Sequence, residues 1–191
     1  MQAIFLDKDG TLIEDIPYNV DPEKIHLSEG AVEGLQLLYR AGYPLIVVSN
    51  QAGIAHGYFS EKDLEQVVHR LEDLLAEIGV LLAGFYYCPH HPEGKIAIYR
   101  MDCDCLKPAP GLLFQAALEQ GIDLKESWMI GDILNDIEAG QRAGCHTILI
   151  NNGNETEWVL NSIRMPQYCV LNLTEAAHII LAQSILKTAT S

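Results

Sequence analysis

The sequence predicts an α/β protein: a parallel sheet with helices on both faces. Three observations carry that expectation. Short apolar runs of strand length alternate along the chain with stretches whose apolar residues recur at helical spacing. The runs are apolar throughout rather than at every second residue, as in strands covered on both sides. Several end on acidic or small polar residues, and in open α/β sheets the ligand crevice lies at the carboxyl ends of the strands.

The first strand is expected at residues 3–6, stopping at Asp7. Residues 30–41 read as a helix, with Ala31, Leu35 and Leu38 on one face and Gly42 as its stop. A second apolar run covers 44–48 and is followed by Ser49-Asn50. Ser60 can cap a long helix to about residue 78, whose apolar face carries Leu64, Val67, Val68, Leu71, Leu74 and Leu75. A third strand is expected at 85–87, then an irregular Pro- and Cys-rich stretch. A helix opens at Pro110 and closes at Gly121. Residues 128–130 read as a strand, 134–143 as a helix and 146–150 as a strand. Residues 168–171 and 174–186 add a last strand and helix.

At 191 residues the chain is expected to form one domain, 1–191. Its formal charge of −14 repels phosphate backbones, which excludes general nucleic-acid binding. No targeting segment or membrane span is legible, so the expected location is the cytoplasm and the expected state a monomer. The Asn-x-Thr matches at Asn154 and Asn172 are read as chance.

The strand ends gather Asp7 and Asp9, Ser49 and Asn50, and Asp132 with Asp136 on one edge. Carboxylates crowded together need a cation, and magnesium suits oxygen ligands and a phosphate-bearing substrate. Asp7 and Asp132 are candidates to share that ion. Lys107, just before the helix at Pro110, can offset the charge of a phosphate, and Ser49 can donate to it. Each residue alone has a plainer explanation as turn, cap or surface chemistry. Their coincidence at strand tips, in order, favours a site.

Asp7-Lys8-Asp9-Gly10-Thr11, Ser49-Asn50, Lys107-Pro108 and Gly131-Asp132-Ile133-Leu134-Asn135-Asp136 resemble the four ordered motifs of the haloacid dehalogenase-like superfamily. The resemblance implies a Rossmann-like domain that hydrolyses phosphate esters through an aspartyl-phosphate. On that basis Asp7 is the nucleophile and Asp9 the acid and base. Magnesium would be held by Asp7, Asp9 (through its carbonyl) and Asp132, with Asp136 supporting the metal from behind. Ser49 and Lys107 would hold the phosphoryl oxygens. The stretch from Thr11 to Ser49 is largely consumed by the first core helix, leaving no room for a large cap domain.

Cys88, Cys103 and Cys105, with His90 or His91, offer three thiolates and an imidazole within the loop 88–105. A Cys3His set is typical of structural zinc, whereas cytosolic disulfides are rare. Cys145 and Cys169 read as core residues. The segments 86–92 and 103–111 resemble the D-glycero-D-manno-heptose 1,7-bisphosphate 7-phosphatases and the related histidinol-phosphate phosphatases. That resemblance implies Cys88, His90, Cys103 and Cys105 as zinc ligands. It also implies that Ser49, Asn50 and Gln51 reach the small phosphorylated substrate. Two positions depart from the heptose enzymes: Leu106 stands where they usually carry Arg, and Ile133 where they usually carry Lys. Both changes remove a cation suited to a second phosphate, which turns attention to histidinol phosphate as the alternative substrate. A non-catalytic zinc-stabilised binding module, the alternative of another class, is disfavoured because every catalytic position is intact.

Overall fold

The structure is a computed structural model that describes residues 1–189. Its six strands form one parallel sheet in the order β3-β2-β1-β4-β5-β6. They are β1 (Ile4–Leu6), β2 (Leu45–Asn50), β3 (Gly84–Cys88), β4 (Trp128–Gly131), β5 (His146–Ile150) and β6 (Tyr168–Val170). The main helices are α1 (Ala31–Arg40), α2 (Ala52–His56), α3 (Glu61–Glu77), α4 (Gly111–Gln120), α5 (Leu134–Ala143) and α6 (Leu173–Ala189).

Because side chains alternate across a strand, each apolar run feeds two cores. Ile4 and Leu6 of β1 join Leu45, Val47, Ile130 and Ile148 on one face, covered by Leu35 and Leu38 of α1, Leu64 and Val67 of α3 and Ile180 of α6. Ala3 and Phe5 point the other way, with Ile46, Val48 and Met129, under Leu112, Leu113 and Ala116 of α4 and Ala139 of α5. This two-sided burial is the reason the strands read as continuous apolar runs.

Three departures from the sequence expectation bear on the site and its surroundings. β2 runs on through Ser49 and Asn50, because both pair with β3 at Tyr87 and Cys88. The short helix α2 was not anticipated, since five residues carry too little periodicity to register. β6 ends at Val170, and Asn172 starts α6 by accepting from the Glu175 N–H at 3.0 Å. The start of α3 is as expected: Ser60 and Asp63 form a reciprocal capping box. Among the described residues, no helix is long and apolar enough to cross a membrane.

Chain order decides where a ligand can enter. The chain runs β1, β2, β3 outward on one side, then returns to place β4 against the other side of β1. Leu6 is in register with both Val47 and Ile130. The crevice of such a sheet opens where the direction reverses, above β1 and β4. Asp7 follows the first of these strands and Asp132 the second.

Candidate active site

Asp7 is fixed at the tip of β1 by its own backbone, whose N–H donates to the Ile130 carbonyl of β4 at 3.0 Å. The Lys107 ammonium reaches its carboxylate at 2.5 Å. The same ammonium donates to Asp136 Oδ1 at 2.6 Å and to the Val48 carbonyl at 2.9 Å, so its three protons are all used. The Lys107 side chain is only 2 % exposed. Its backbone is gripped from both sides by Asn50, which accepts from the Lys107 N–H at 2.9 Å and donates to the Lys107 carbonyl at 3.0 Å. Asp136 uses its second oxygen to accept from the Ile133 N–H at 3.2 Å, at the start of α5.

Asp132 comes from the neighbouring strand tip. It accepts from the Asn154 side-chain amide at 2.6 Å and, at 3.5 Å, from the Thr11 hydroxyl. One carboxylate oxygen from each of Asp7, Asp132 and Asp136 lies within 4.8 Å of the others, all three residues buried. Gly10 makes this approach possible. Its φ is +80°, and a Cβ there would fall 2.0 Å from Asp132 Oδ2. Any side chain at this position is excluded on both counts.

The charge balance follows from this crowding. Burial pushes the Asp7 carboxyl well above the usual carboxylate range; Lys107 opposes that, while Asp136, Asp132 and Asp9 add to it. Burial, then the charge of Asp136, raises Asp132 to about 7, with the Asn154 hydrogen bond pulling the other way. Burial works against the Lys107 charge, but Asp136 and Asp7 outweigh it and hold the ammonium above its ordinary value. One cation thus faces three buried carboxylates. A hard divalent ion with oxygen ligands supplies the missing charge, and the donor set fits magnesium. An ion bound at Asp132 would compete with the proton there, so magnesium affinity should fall as pH drops below about 7. Calorimetric titration on either side of that value checks this; a constant affinity would contradict it.

Asp9 faces a cleft of about 270 Å³ together with Lys8, Asp15, Tyr18, Asn50 and Gln51. Lys8 donates to Asp9 Oδ1 at 2.7 Å, and its side chain is 2 % exposed against 34 % for Asp9. Gln51 bridges the other side, its amide 3.2 Å from Asp9 Oδ2 and 2.8 Å from the Ser49 hydroxyl oxygen. Both Asp9 oxygens are therefore oriented before any substrate arrives. Lys8 is the one cation among the described residues that line the cleft.

The loop that follows β3 gathers Cys88, His90, Cys103 and Cys105. Cys88 Sγ lies 3.4 Å from Cys103 Sγ and 3.7 Å from His90 Nδ1. Cys105 Sγ lies 3.3 Å from both Cys103 Sγ and His90 Nδ1. Ligands about 2.0–2.3 Å from a tetrahedral zinc stand about 3.3–3.8 Å from one another, close to these separations, while the Cys88 and Cys105 sulfurs, at 2.6 Å, stand closer together than that. Hydrogen bonding from Cys88 leads the effects that lower the Cys105 thiol, with His90 and Cys103 helping against burial, which favours its thiolate. His91 turns elsewhere: it stacks on His56 at 4.7 Å and accepts from the Glu93 N–H. Cys145 is buried in the core, whereas Cys169 on β6 is exposed, which corrects the expectation that both are core residues.

The structure thus brings Asp7, Lys107, Asp132 and Asp136 into one cluster, and Asp9, Ser49 and Gln51 into an adjoining one. Asn50 serves chiefly to hold the Lys107 backbone. Four participants were missed. Lys8 stood in the sequence only as the spacer between two acids. Asn152, Asn154 and Glu155 sit in the loop after β5: Asn152 donates to the Gly10 carbonyl at 2.7 Å, and Glu155 accepts from the Leu134 N–H at 2.7 Å. The run Asn151-Asn152-Gly153-Asn154 directly after a strand that neighbours β4 was the available signal. Leu106 packs against the core beneath α4, which explains an apolar residue beside Lys107.

A family model described as HAD-hydrolase-like matches residues 104–176. The chain is 44% identical over 171 residues to the D-glycero-beta-D-manno-heptose-1,7-bisphosphate 7-phosphatase of Pasteurella multocida (strain Pm70), covering 85% of this chain and 92% of that one. It is 39% identical over 175 residues to the enzyme of the same name from Escherichia coli (strain K12), covering 86% and 92%. Among solved structures, D,D-heptose 1.7-bisphosphate phosphatase from B. bronchiseptica, complexed with magnesium and phosphate, superposes with a TM-score of 0.78 at 25% identity. That match covers 96% of this chain and 99% of the other.

Proposed function

Because the chain belongs to the HAD-like hydrolases, in the family of the D-glycero-beta-D-manno-heptose-1,7-bisphosphate 7-phosphatases, we propose that it is a magnesium-dependent phosphatase that removes the 7-phosphate of that sugar. The observation that carries the chemistry is the Lys107 ammonium clamped between Asp7 and Asp136, with Asp132 at the adjacent strand tip.

In this reading the Asp7 carboxylate attacks phosphorus while Asp9 gives a proton to the departing sugar oxygen, leaving an aspartyl-phosphate and a free alcohol. Asp9, now a carboxylate, takes a proton from water as the oxygen of that water attacks the same phosphorus. Inorganic phosphate leaves and Asp7 is restored. Lys107 aims the Asp7 carboxylate and tempers its charge. Lys8 and Gln51 keep Asp9 turned toward the cleft, and Ser49 presents a hydroxyl to a phosphoryl oxygen. Magnesium, held by Asp7, Asp132 and the Asp9 carbonyl with Asp136 behind, would draw negative charge from the phosphoryl group. Zinc, held by Cys88, His90, Cys103 and Cys105, would brace the segment that leads into Lys107 and take no part in the reaction.

We take residues 1–191 as one domain, supported by the continuous sheet. We place it in the cytoplasm, where thiols stay reduced and available to a metal, and as a monomer. The cleft also suggests a second substrate. Its one cation, Lys8, is already paired with Asp9, and Asp15 lines the same wall. A phosphomonoester bearing an ammonium group, such as histidinol phosphate, suits that charge pattern. A panel comparing kcat/KM for heptose 1,7-bisphosphate, histidinol phosphate and simple sugar phosphates decides. The highest value for the bisphosphate is expected, a tenfold preference for histidinol phosphate would reassign the substrate, and no hydrolysis with magnesium present would overturn the phosphatase.

A further inference from the structure

We propose that Asn154 is a positioning residue for magnesium: its side-chain amide selects which oxygen of Asp132 is presented to the ion. The proposal rests on the assignment of Asp132 as a metal ligand.

Asn154 is the closest hydrogen-bond partner of Asp132. Its Nδ2 lies 2.6 Å from Oδ2, while the other carboxylate oxygen has only the Thr11 hydroxyl at 3.5 Å. A carboxylate with one oxygen engaged by a neutral donor keeps its full charge and offers the remaining oxygen in a fixed direction. A cation in the same place would cancel the charge that attracts the metal. An amide avoids that.

The loop is built to hold this amide still. The Asn154 N–H donates to Asn152 Oδ1 at 3.1 Å, and the Asn152 amide donates to the Gly10 carbonyl at 2.7 Å. One residue further, the Glu155 carboxylate accepts the Leu134 N–H at 2.7 Å, at the start of the helix that carries Asp136. The loop after β5 therefore touches the loop after β1, the residue after β4 and the first turn of α5. The absent side chain of Gly10 clears its path, since a Cβ there would lie 2.4 Å from Asn154 Nδ2. Of these contacts, the one from Asn154 is the only one that ends on a proposed ligating carboxylate. Asn152 anchors the loop but does not touch Asp132.

That contrast supplies the test. Magnesium binding to the full chain is measured by calorimetry for the wild type, Asn154→Ala and Asn152→Ala, with melting temperatures recorded in EDTA. Removing a partner of a ligating carboxylate typically weakens metal affinity 10- to 100-fold. Asn154→Ala is expected to raise the magnesium Kd by that factor with its EDTA melting temperature near that of wild type, while Asn152→Ala, which keeps the Asn154 amide, raises the Kd by a clearly smaller factor. A Kd for Asn154→Ala within threefold of wild type overturns the proposal. So does an equal loss of affinity in both variants, which would mark the loop as scaffold only. Should Asn154→Ala fail to fold, Asn154→Ser, too short to reach Asp132, takes the same readings. No magnesium binding by the wild type would instead remove the metal assignment on which the proposal stands.

Discussion

Asp7→Asn should abolish turnover, by at least about 10,000-fold in kcat, while leaving a folded protein that is no less stable in metal-free buffer. The second half of that expectation follows from the environment of the carboxylate. Burial, joined by Asp136, Asp132 and Asp9 and opposed by Lys107, raises the Asp7 carboxyl above its unfolded value. A carboxylate raised in this way burdens the folded state increasingly as pH climbs above that unfolded value. A neutral isosteric amide removes the burden, and Lys107 keeps Asp136 and the Val48 carbonyl as partners. Steady-state hydrolysis and melting curves in EDTA at neutral pH check both parts. Retained turnover would remove Asp7 from the nucleophile's role, and a collapsed melting temperature would show that the Asp7–Lys107 pair holds the fold together.

Cys103→Ser should lose zinc, from one ion per chain to almost none, and lower the melting temperature by roughly 10 °C. That shift corresponds to about 3–5 kcal/mol in a chain of this size, a reasonable share of what a structural zinc contributes. Activity should fall with it, although no cysteine touches the reacting atoms. Cys105 stands two residues before Lys107, and the lysine backbone depends on Asn50 for its remaining support. Once the four-ligand cluster opens, the segment keeps only the Leu106 packing and the Gly111 N–H to Asp104 carbonyl bond beside Asn50, and the ammonium is aimed less well. Metal analysis, calorimetry and kcat on the same preparation test this; a variant that keeps its zinc and its melting temperature rules the cluster out as a zinc site.

Much of this was legible in the sequence because the sheet is buried on both faces. Continuous apolar runs mark such strands without ambiguity, and the acids that follow them stand where the crevice must open. Asp7 and Asp132 stand out at those strand ends, Lys107 only through its coincidence with them, and three cysteines in one polar loop announced a metal set. What escaped depends on three-dimensional neighbours. The α2 helix is too short to show a period. Lys8 is polar, yet the fold encloses it. Asn154 lies in an Asn-x-Thr string, where a familiar surface motif hid its contact with Asp132. Spacing alone left His90 and His91 open, while the resemblance implied His90; the path of the loop sends the adjacent imidazoles in different directions and puts His90 with the cysteines.

The order of the strands has a further consequence for change by mutation. Asp7 and Asp132 sit at the tips of two adjacent, hydrogen-bonded strands, so the gap between them is metered by main-chain pairing and is indifferent to most side chains. The cleft wall is made of other material: the turn that carries Asp15 and Tyr18, and the short helix after Gln51. Substrate preference can drift there by single substitutions while the spacing of the reactive carboxylates stays constant. The strand-tip carboxylates and the outer wall of the cleft thus stand on separate parts of the backbone, so that wall can vary without changing their spacing.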